Sequence, residues 1–283
     1  MTAVILDGIV LGLAFGLLGV GMTLVFGLGG VLNLAYGQIV VLAAIVASLV
    51  LERGPSQLLA ALVGVLAAVA LSLVLDLTLM QPVYRQQGED RVLLGLLLTL
   101  GVAFVILGVL TWRYPAGALF IFIEGDPISI LGVPMAIGSI WASVIALAVG
   151  AALLAFFGLT TSGRGIRSVI QDETGARLVG INPAFVRTVV FGLSGALAGI
   201  VAMTYSMSGP LTVNAGFELT TFALIVAVVG GLGSVAGAFL AGVLLGVVNT
   251  LSAHYIGQYI TSVILLVAAA LTILIRPRGL LGR

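Results

Sequence analysis

The sequence has no cysteine and a single histidine, His254, and all eleven of its basic residues are arginine. Without cysteine there is no disulfide frame, no thiolate metal site and no cysteine nucleophile. One histidine rules out a histidine-rich metal cluster. Without lysine there can be no G-x-x-x-x-G-K-[ST] phosphate loop, so any ATP-driven step belongs to another chain. Charge is scarce too: 7% of 283 residues, against about a quarter in soluble domains. So few charges cannot cover a water-facing surface, and a soluble globular fold is excluded. A formal net charge of +1 gives no electrostatic reason to expect nucleic acid. The first residues carry Asp7 and no basic cluster, so a cleaved signal peptide is not expected.

What the sequence has instead is apolar and small. Hydrophobic residues make up 61% of the chain, and 39 residues are glycine. The apolar runs are about 20 residues long, the length of a membrane-crossing helix. They do not alternate in the ~10-residue segments of a membrane barrel. The expected fold is an all-α, polytopic transmembrane helical bundle with about eight to nine membrane segments, forming one integral membrane domain over residues 1–283. Candidate spans cover 8–28, 34–51, 58–80, 92–112, 136–159, 188–207 and 259–275. The stretch 219–251 is too long for one span and is broken by Gly230-Gly231-Leu232-Gly233-Ser234. Gln81-Pro82 is expected to close the third span.

Arginine placement orients the bundle. Arg164, Arg167, Arg177 and Arg187 mark the 160–187 loop as cytoplasmic, and Arg276, Arg278 and Arg283 place the C-terminus on that side. Arg85 and Arg91 agree. The segment with Glu124 and Asp126 then falls outside. Parity makes 219–251 go in and come back at its glycine cluster, with 219–229 short enough for a half-helix buried in protein. Residues 27–33 form a similar glycine-rich break near the start, and broken helices in corresponding halves suit a substrate path.

Several motifs have two readings. Gly8, Gly12 and Gly16, Gly195 and Gly199, Gly233 and Gly237, and Gly242 and Gly246 recur every four residues; such faces either pack helices closely or line a pathway. Asn33 either caps the second helix or joins Tyr36, Gly37 and Gln38 in offering hydrogen bonds to a polar solute. The 160–187 loop reads as one short amphipathic helix from Ile166, with Arg167, Gln171, Thr174 and Arg177 on its polar face, ending at Gly180-Ile181-Asn182-Pro183. It is either a solvated connector or a docking helix that transmits force from a cytoplasmic partner. Asp76 is expected near the inner interface, Glu218 at a helix start where its charge suits the dipole, and His254 in an outer turn beside Tyr255. No span carries paired acids at its centre, which argues against a proton relay.

Three stretches, taken together, resemble the membrane permease subunits of branched-chain amino acid ABC importers. They are Gly30-Val31-Leu32-Asn33-Leu34-Ala35-Tyr36-Gly37-Gln38; Gly165-Ile166-Arg167-Ser168 with Asp172, Ala176 and Gly180-Ile181-Asn182; and Gly230-Gly231-Leu232-Gly233-Ser234-Val235-Ala236-Gly237-Ala238. The ending, Arg276-Pro277-Arg278-Gly279-Leu280-Leu281-Gly282, is also similar. The resemblance implies a multi-pass subunit of the cytoplasmic (inner) membrane. Its partners would be a second permease subunit (a heterodimer, or a homodimer), two cytoplasmic ABC ATPase subunits and an extracytoplasmic solute-binding protein. The subunit itself would need no cofactor and perform no catalysis. ATPase coupling would fall to Gly165, Arg167, Asp172, Ala176, Gly180, Ile181 and Asn182. The translocation pathway would fall to Asn33, Tyr36, Gly37, Gln38, Gly230, Gly231, Gly233, Ser234 and Gly237. Members often carry His and an acidic residue where Tyr36 and Gln38 stand, and Lys where Phe222 stands. Substrates implied are branched-chain amino acids, with amides or urea-type solutes in related systems. The alternative from another class is an autonomous channel or secondary carrier.

Overall fold

The computed structural model describes residues 1–283 except 55, 87, 122, 124, 125, 131, 277, 278, 282 and 283. Expectations resting on Pro55, Glu124, Pro277, Arg278, Gly282 and Arg283 therefore lie outside the described residues. The chain folds as a helical bundle: α1 (Thr2–Gly29), α2 (Tyr36–Leu51), α3 (Gln57–Arg85), α4 (Gly88–Arg113), α5 (Ile137–Leu159), α6 (Thr161–Gln171), α7 (Glu173–Leu178), α8 (Pro183–Ser208), α9 (Gly216–Gly230), α10 (Val235–Tyr255) and α11 (Gln258–Ile275). Short strands β1 (Ala118–Leu119), β2 (Ile128–Ile130), β3 (Val133–Met135) and β4 (Leu211–Thr212) form two small antiparallel pairs, β1 with β4 and β2 with β3. Among the described residues, eight helical stretches are long and apolar enough to cross a membrane; α2 is a shorter apolar helix.

Helix α1 is the core, with most of its length buried. Its glycines explain why. A methyl group on Gly12 would lie 2.7 Å from the Val243 carbonyl oxygen and 2.8 Å from Val243 Cα; one on Gly8 would lie 2.8 Å from Val247 Cα. Gly242 and Gly246 answer from α10, approaching the backbone at Gly16 and Gly12. The two backbones touch because neither carries a Cβ there, which is how membrane helices associate where no hydrophobic effect drives them. Gly195 and Gly199 do the same for α8 on α3, against Ser72 and Val65. The close-packing reading of these glycine faces holds.

Three boundaries differ from expectation. Helix α3 runs through Gln81-Pro82 to Arg85, because a π turn at Asp76–Met80 precedes the proline. The wider turn relieves the clash of a proline ring with the carbonyl one turn back. The 160–187 loop holds two helices instead of one: Asp172 adopts an extended conformation, accepts the Thr174 N–H and starts α7 afresh. Pro183 begins α8, capped by Asn182, whose Oδ1 accepts from Ala184 N at 3.0 Å. The break in 219–251 falls where expected, between α9 and α10.

The segments bearing Arg85, Arg91 and Arg164 to Arg187 gather at one end, with Arg113 at the far end of α4, next to β1. Gly27 at the close of α1 lies beside Gly233 and Ile170, and the Leu280 N–H donates to the Val229 carbonyl at 2.9 Å. The opposite end carries the β1–β4 pair and the close approach of Gly138 to the Met207 carbonyl.

Candidate functional site

Two of the apolar helices are short. At 15 and 16 residues, α9 and α2 span about 22–24 Å; a 3-10 turn at Val213–Ala215 extends the α9 stretch to 18 residues, whereas α2 stays short of a ~30 Å hydrocarbon core. Both begin inside the bundle, and their N-termini meet. The Gly37 N–H donates to Thr220 Oγ1 at 2.9 Å. The Leu34 N–H donates to Thr99 Oγ1 of α4 at 3.1 Å. A methyl group on Gly37 would lie 2.7 Å from the Thr220 nitrogen, so only glycine fits there. Asn33 is buried and its Oδ1 accepts the Ala35 N–H at 3.1 Å. It shapes the turn into α2, with Ala35 itself at the cap position. The Tyr36 hydroxyl reaches the Ser194 carbonyl of α8, and Ser194 Oγ donates to the Gly21 carbonyl at 3.1 Å. Gln38 is fully buried against Gly216, and neither polar atom of its amide has a partner. Phe222 stacks on Phe15 with ring centroids 4.5 Å apart.

The structure thus brings Asn33, Tyr36, Gly37 and Gln38 together in the bundle interior. It does not bring Gly230, Gly231, Gly233, Ser234 and Gly237 to them. Those residues form the α9–α10 turn at the arginine-rich end. Gly231 and Gly233 take positive φ of 104° and 93°, Ser234 Oγ accepts the Gly237 N–H at 3.1 Å, and Gly230 packs against Ala238. The tail at Leu280 closes over this turn through Val229.

At the same end, α6 and α7 form a two-helix tip. Gly163, Ile166 and Val169 face the bundle, while Arg164 and Arg167 are exposed. Asp172, Gly180 and Asn182 are exposed, Gly165 and Ile181 half-buried, and Ala176 buried. Ala176 therefore packs inward and does not face outward. Helix α7 ends in a Schellman motif: the Ile181 N–H donates to the Ala176 carbonyl at 3.0 Å and the Gly180 N–H to Arg177 at 3.1 Å. The result leaves Leu178 84% and Val179 74% exposed, beside a groove lined by Arg177 and Gly180 to Ala184.

A charged knot that sequence reading missed anchors the tip. Glu173 of α7 pairs with Arg177 at 2.6 Å and with Arg187 of α8. Partial burial pushes the Glu173 carboxyl upward, but the Arg187 guanidinium and its hydrogen bond, then Arg177, outweigh this and hold it below the usual range. Arg187 is buried and lies 4.5 Å above the Tyr84 ring of α3, which Arg91 of α4 also approaches, at 5.3 Å. Asp76, in the π turn, is fully buried and does not reach the interface; its Oδ2 accepts the Thr188 hydroxyl at 2.6 Å. Four helices meet here through partners that lie far apart in sequence, where no local pattern reveals them.

Among the described residues, no group of His, Asp and Glu side chains could hold a metal ion. Residues 4–275 match the family model for the branched-chain amino acid transport system permease component. The chain belongs to this family. It is similar to the high-affinity branched-chain amino acid transport system permease protein BraD of Pseudomonas aeruginosa, 26% identical over 295 residues, covering 99% of this chain and 95% of that protein. It is equally similar to LivH of Salmonella typhimurium, 26% identical over 291 residues, covering 98% and 94%. In fold it resembles PsaBC from Streptococcus pneumoniae, solved in complex with Fab, with a TM-score of 0.53 at 12% identity, covering 96% of this chain and 91% of that one. The chain is a membrane permease component, and its relatives are transport permeases.

Proposed function

We propose that this chain is one of two permease subunits of an ATP-driven importer in the cytoplasmic membrane, passing a branched-chain or similar small amino acid inward. The arginine-rich end, with the C-terminus, faces the cytoplasm. Two separate ATPase subunits grip the 165–182 tip, and an extracytoplasmic binding protein delivers solute to the opposite end. One observation carries this reading: the Leu178–Val179 pair stands exposed on a polar tip. An adjacent exposed apolar pair beside a groove, on a tip rimmed by polar residues, supports a protein contact there. Arg167, Asp172, Gly180 and Asn182 rim that contact, and Ala176 keeps the helix seated. A partner pulling on α7 pulls α8 through Glu173–Arg187 and α3 through Asp76–Thr188. ATP binding then biases inward- against outward-facing states because the contact differs between them. The α2–α9 junction serves as the gate: two helix starts meet there with an unpartnered Gln38 amide between them.

The test is uptake by proteoliposomes holding the whole complex. Leu178→Glu with Val179→Glu is expected to cut ATP-driven uptake at least ~10-fold, the equivalent of ~1.4 kcal/mol, with the permease still folded in the membrane. Full uptake by that variant would overturn the proposal. Solute flux through the permease alone, without ATPases, would favour the autonomous channel or carrier.

A further inference from the structure

At the end away from the coupling tip, a cavity of about 310 Å³ opens between α1, α5, α8 and α10. Its size falls in the ~300–1,000 Å³ range of small-molecule sites. One wall is apolar, built from Val10, Ala14 and Ala142. The other carries Asp7, Ser139, Tyr205 and Ser208. Two more hydroxyls at its edge are already engaged: Thr204 donates to the Ile200 carbonyl and Thr250 to the Gly246 carbonyl, each at 3.0 Å. Among the described residues, those of Ser139, Tyr205 and Ser208 have no hydrogen-bonding partner in the chain, and no basic side chain lines the cavity. Asp7 has no ion-pair partner among the described residues either.

The frame is fixed. Gly8 and Gly12 hold α1 directly on the α10 backbone, and Gly138 holds the start of α5 against the end of α8. A cavity whose walls touch backbone to backbone keeps its shape when empty. It therefore presents the exposed Asp7 carboxylate and Ser208 hydroxyl at its mouth, the half-buried Ser139 and Tyr205 hydroxyls, and an aliphatic wall. A carboxylate without a cation selects a cationic group, and a charge-assisted hydrogen bond is stronger than a neutral one. Hydroxyl hydrogens are available to a carboxylate, and the apolar wall to a short hydrocarbon chain.

We infer that this cavity is a reception site for a zwitterionic amino acid with an aliphatic side chain, its ammonium group held by Asp7. The inference rests on the importer reading, which puts this end outside, where solute arrives. It narrows that reading by excluding urea-type and simple amide solutes, which carry no positive charge for Asp7.

The cysteine-free sequence makes the test direct. In the whole complex, Ser208→Cys is labelled from outside with a trimethylammonium-bearing thiosulfonate and with its sulfonate-bearing counterpart; Ser139→Cys serves if the first variant misfolds. The cationic reagent is expected to react about 10-fold faster, and leucine to slow both reactions. Adding Asp7→Asn is expected to bring the two rates together. In uptake, Asp7→Asn is expected to raise KM for leucine about 10-fold, and Asp7→Glu to restore most of it. No protection by leucine, or an unchanged rate ratio in Asp7→Asn, would overturn the site. The two readings fail separately. ATP-driven uptake with an unprotected cysteine refutes the cavity alone. Protection by leucine without ATP-driven uptake refutes the importer and leaves the cavity standing.

Discussion

Thr188 gives its hydroxyl hydrogen to Asp76 at 2.6 Å, joining positions 112 residues apart in the chain. The bond seats the first turns of α8 against the π turn of α3. Tyr84 and the Arg187 guanidinium also act on the Asp76 carboxyl, and Thr188 is its closest hydrogen-bond donor. Thr188→Val keeps the shape and removes the donor. Its expected cost is about 1–3 kcal/mol, the penalty of a buried acceptor left unpaired. Thermal melting of the purified complex checks it: Thr188→Val should melt lower than wild type, and Thr188→Ser should lie close to it.

Glu173 makes a pH prediction. Its carboxyl is held below its ordinary value by Arg187 and Arg177. A group with a depressed folded pKa adds stability above its unfolded pKa, here 4.5, and loses that stability as pH falls through the folded value. Glu173→Gln is therefore expected to melt lower than wild type at pH 7, with a stability loss of about 0.5–1 kcal/mol after solvent screening of the partly exposed pair. The gap should shrink as pH falls below 4.5. Melting curves from pH 7 downward decide the matter; a gap that widens would contradict the pairing.

Gly12 and Gly101 form a matched test of backbone contact. A methyl group on Gly12 meets the Val243 backbone, whereas one on Gly101 in α4 meets nothing within 4 Å. Gly12→Ala is expected to cost about 1–3 kcal/mol, because a backbone neighbour cannot turn aside. Gly101→Ala is expected to be neutral or stabilising by up to ~1 kcal/mol, since alanine suits a helix interior better. Comparing the folded yield and melting of the two variants checks this.

Gly37→Ala tests the α2–α9 junction. The added methyl would meet the Thr220 nitrogen at 2.7 Å and push apart the two helix starts. The expected result is loss of uptake with a stability loss at least as large as that of Gly12→Ala, because the Gly216 carbonyl oxygen also stands in the way of the methyl. Uptake and melting, measured side by side, separate the two effects. A variant with normal uptake would remove the junction from the gate.

Much of this fold was legible in the sequence because bilayer thickness fixes helix length. The spans and the break at Gly230–Ser234 follow from local composition and spacing; the glycine spacing left packing and pathway open, and the contacts of Gly12 and Gly246 decide for packing. The passage of α3 through Pro82 was not legible, since a π turn leaves no local signature. Nor was the split at Asp172, where a cap interrupts a continuous amphipathic pattern. At the site, Asn33 to Gln38 do come together with Thr220. Their separation from the Gly230–Gly237 turn could not be read from two similar glycine-rich stretches, because similar motifs say nothing about distance. The Glu173–Arg187–Tyr84 knot and the cavity around Asp7 and Tyr205 draw residues from helices remote in sequence.

The backbone-to-backbone seam between Gly12 and Gly246 also sets an order of events during biosynthesis. Helix α1 is synthesised before α10, and the groove it fits is encoded more than two hundred residues later. Until that later helix is made, Gly8 and Gly12 lack the backbone they fit. The centre of the molecule is therefore among the last parts to close, and assembly is a docking of already inserted helices. A chain arrested before residue 235 would leave its most buried segment without its principal neighbour.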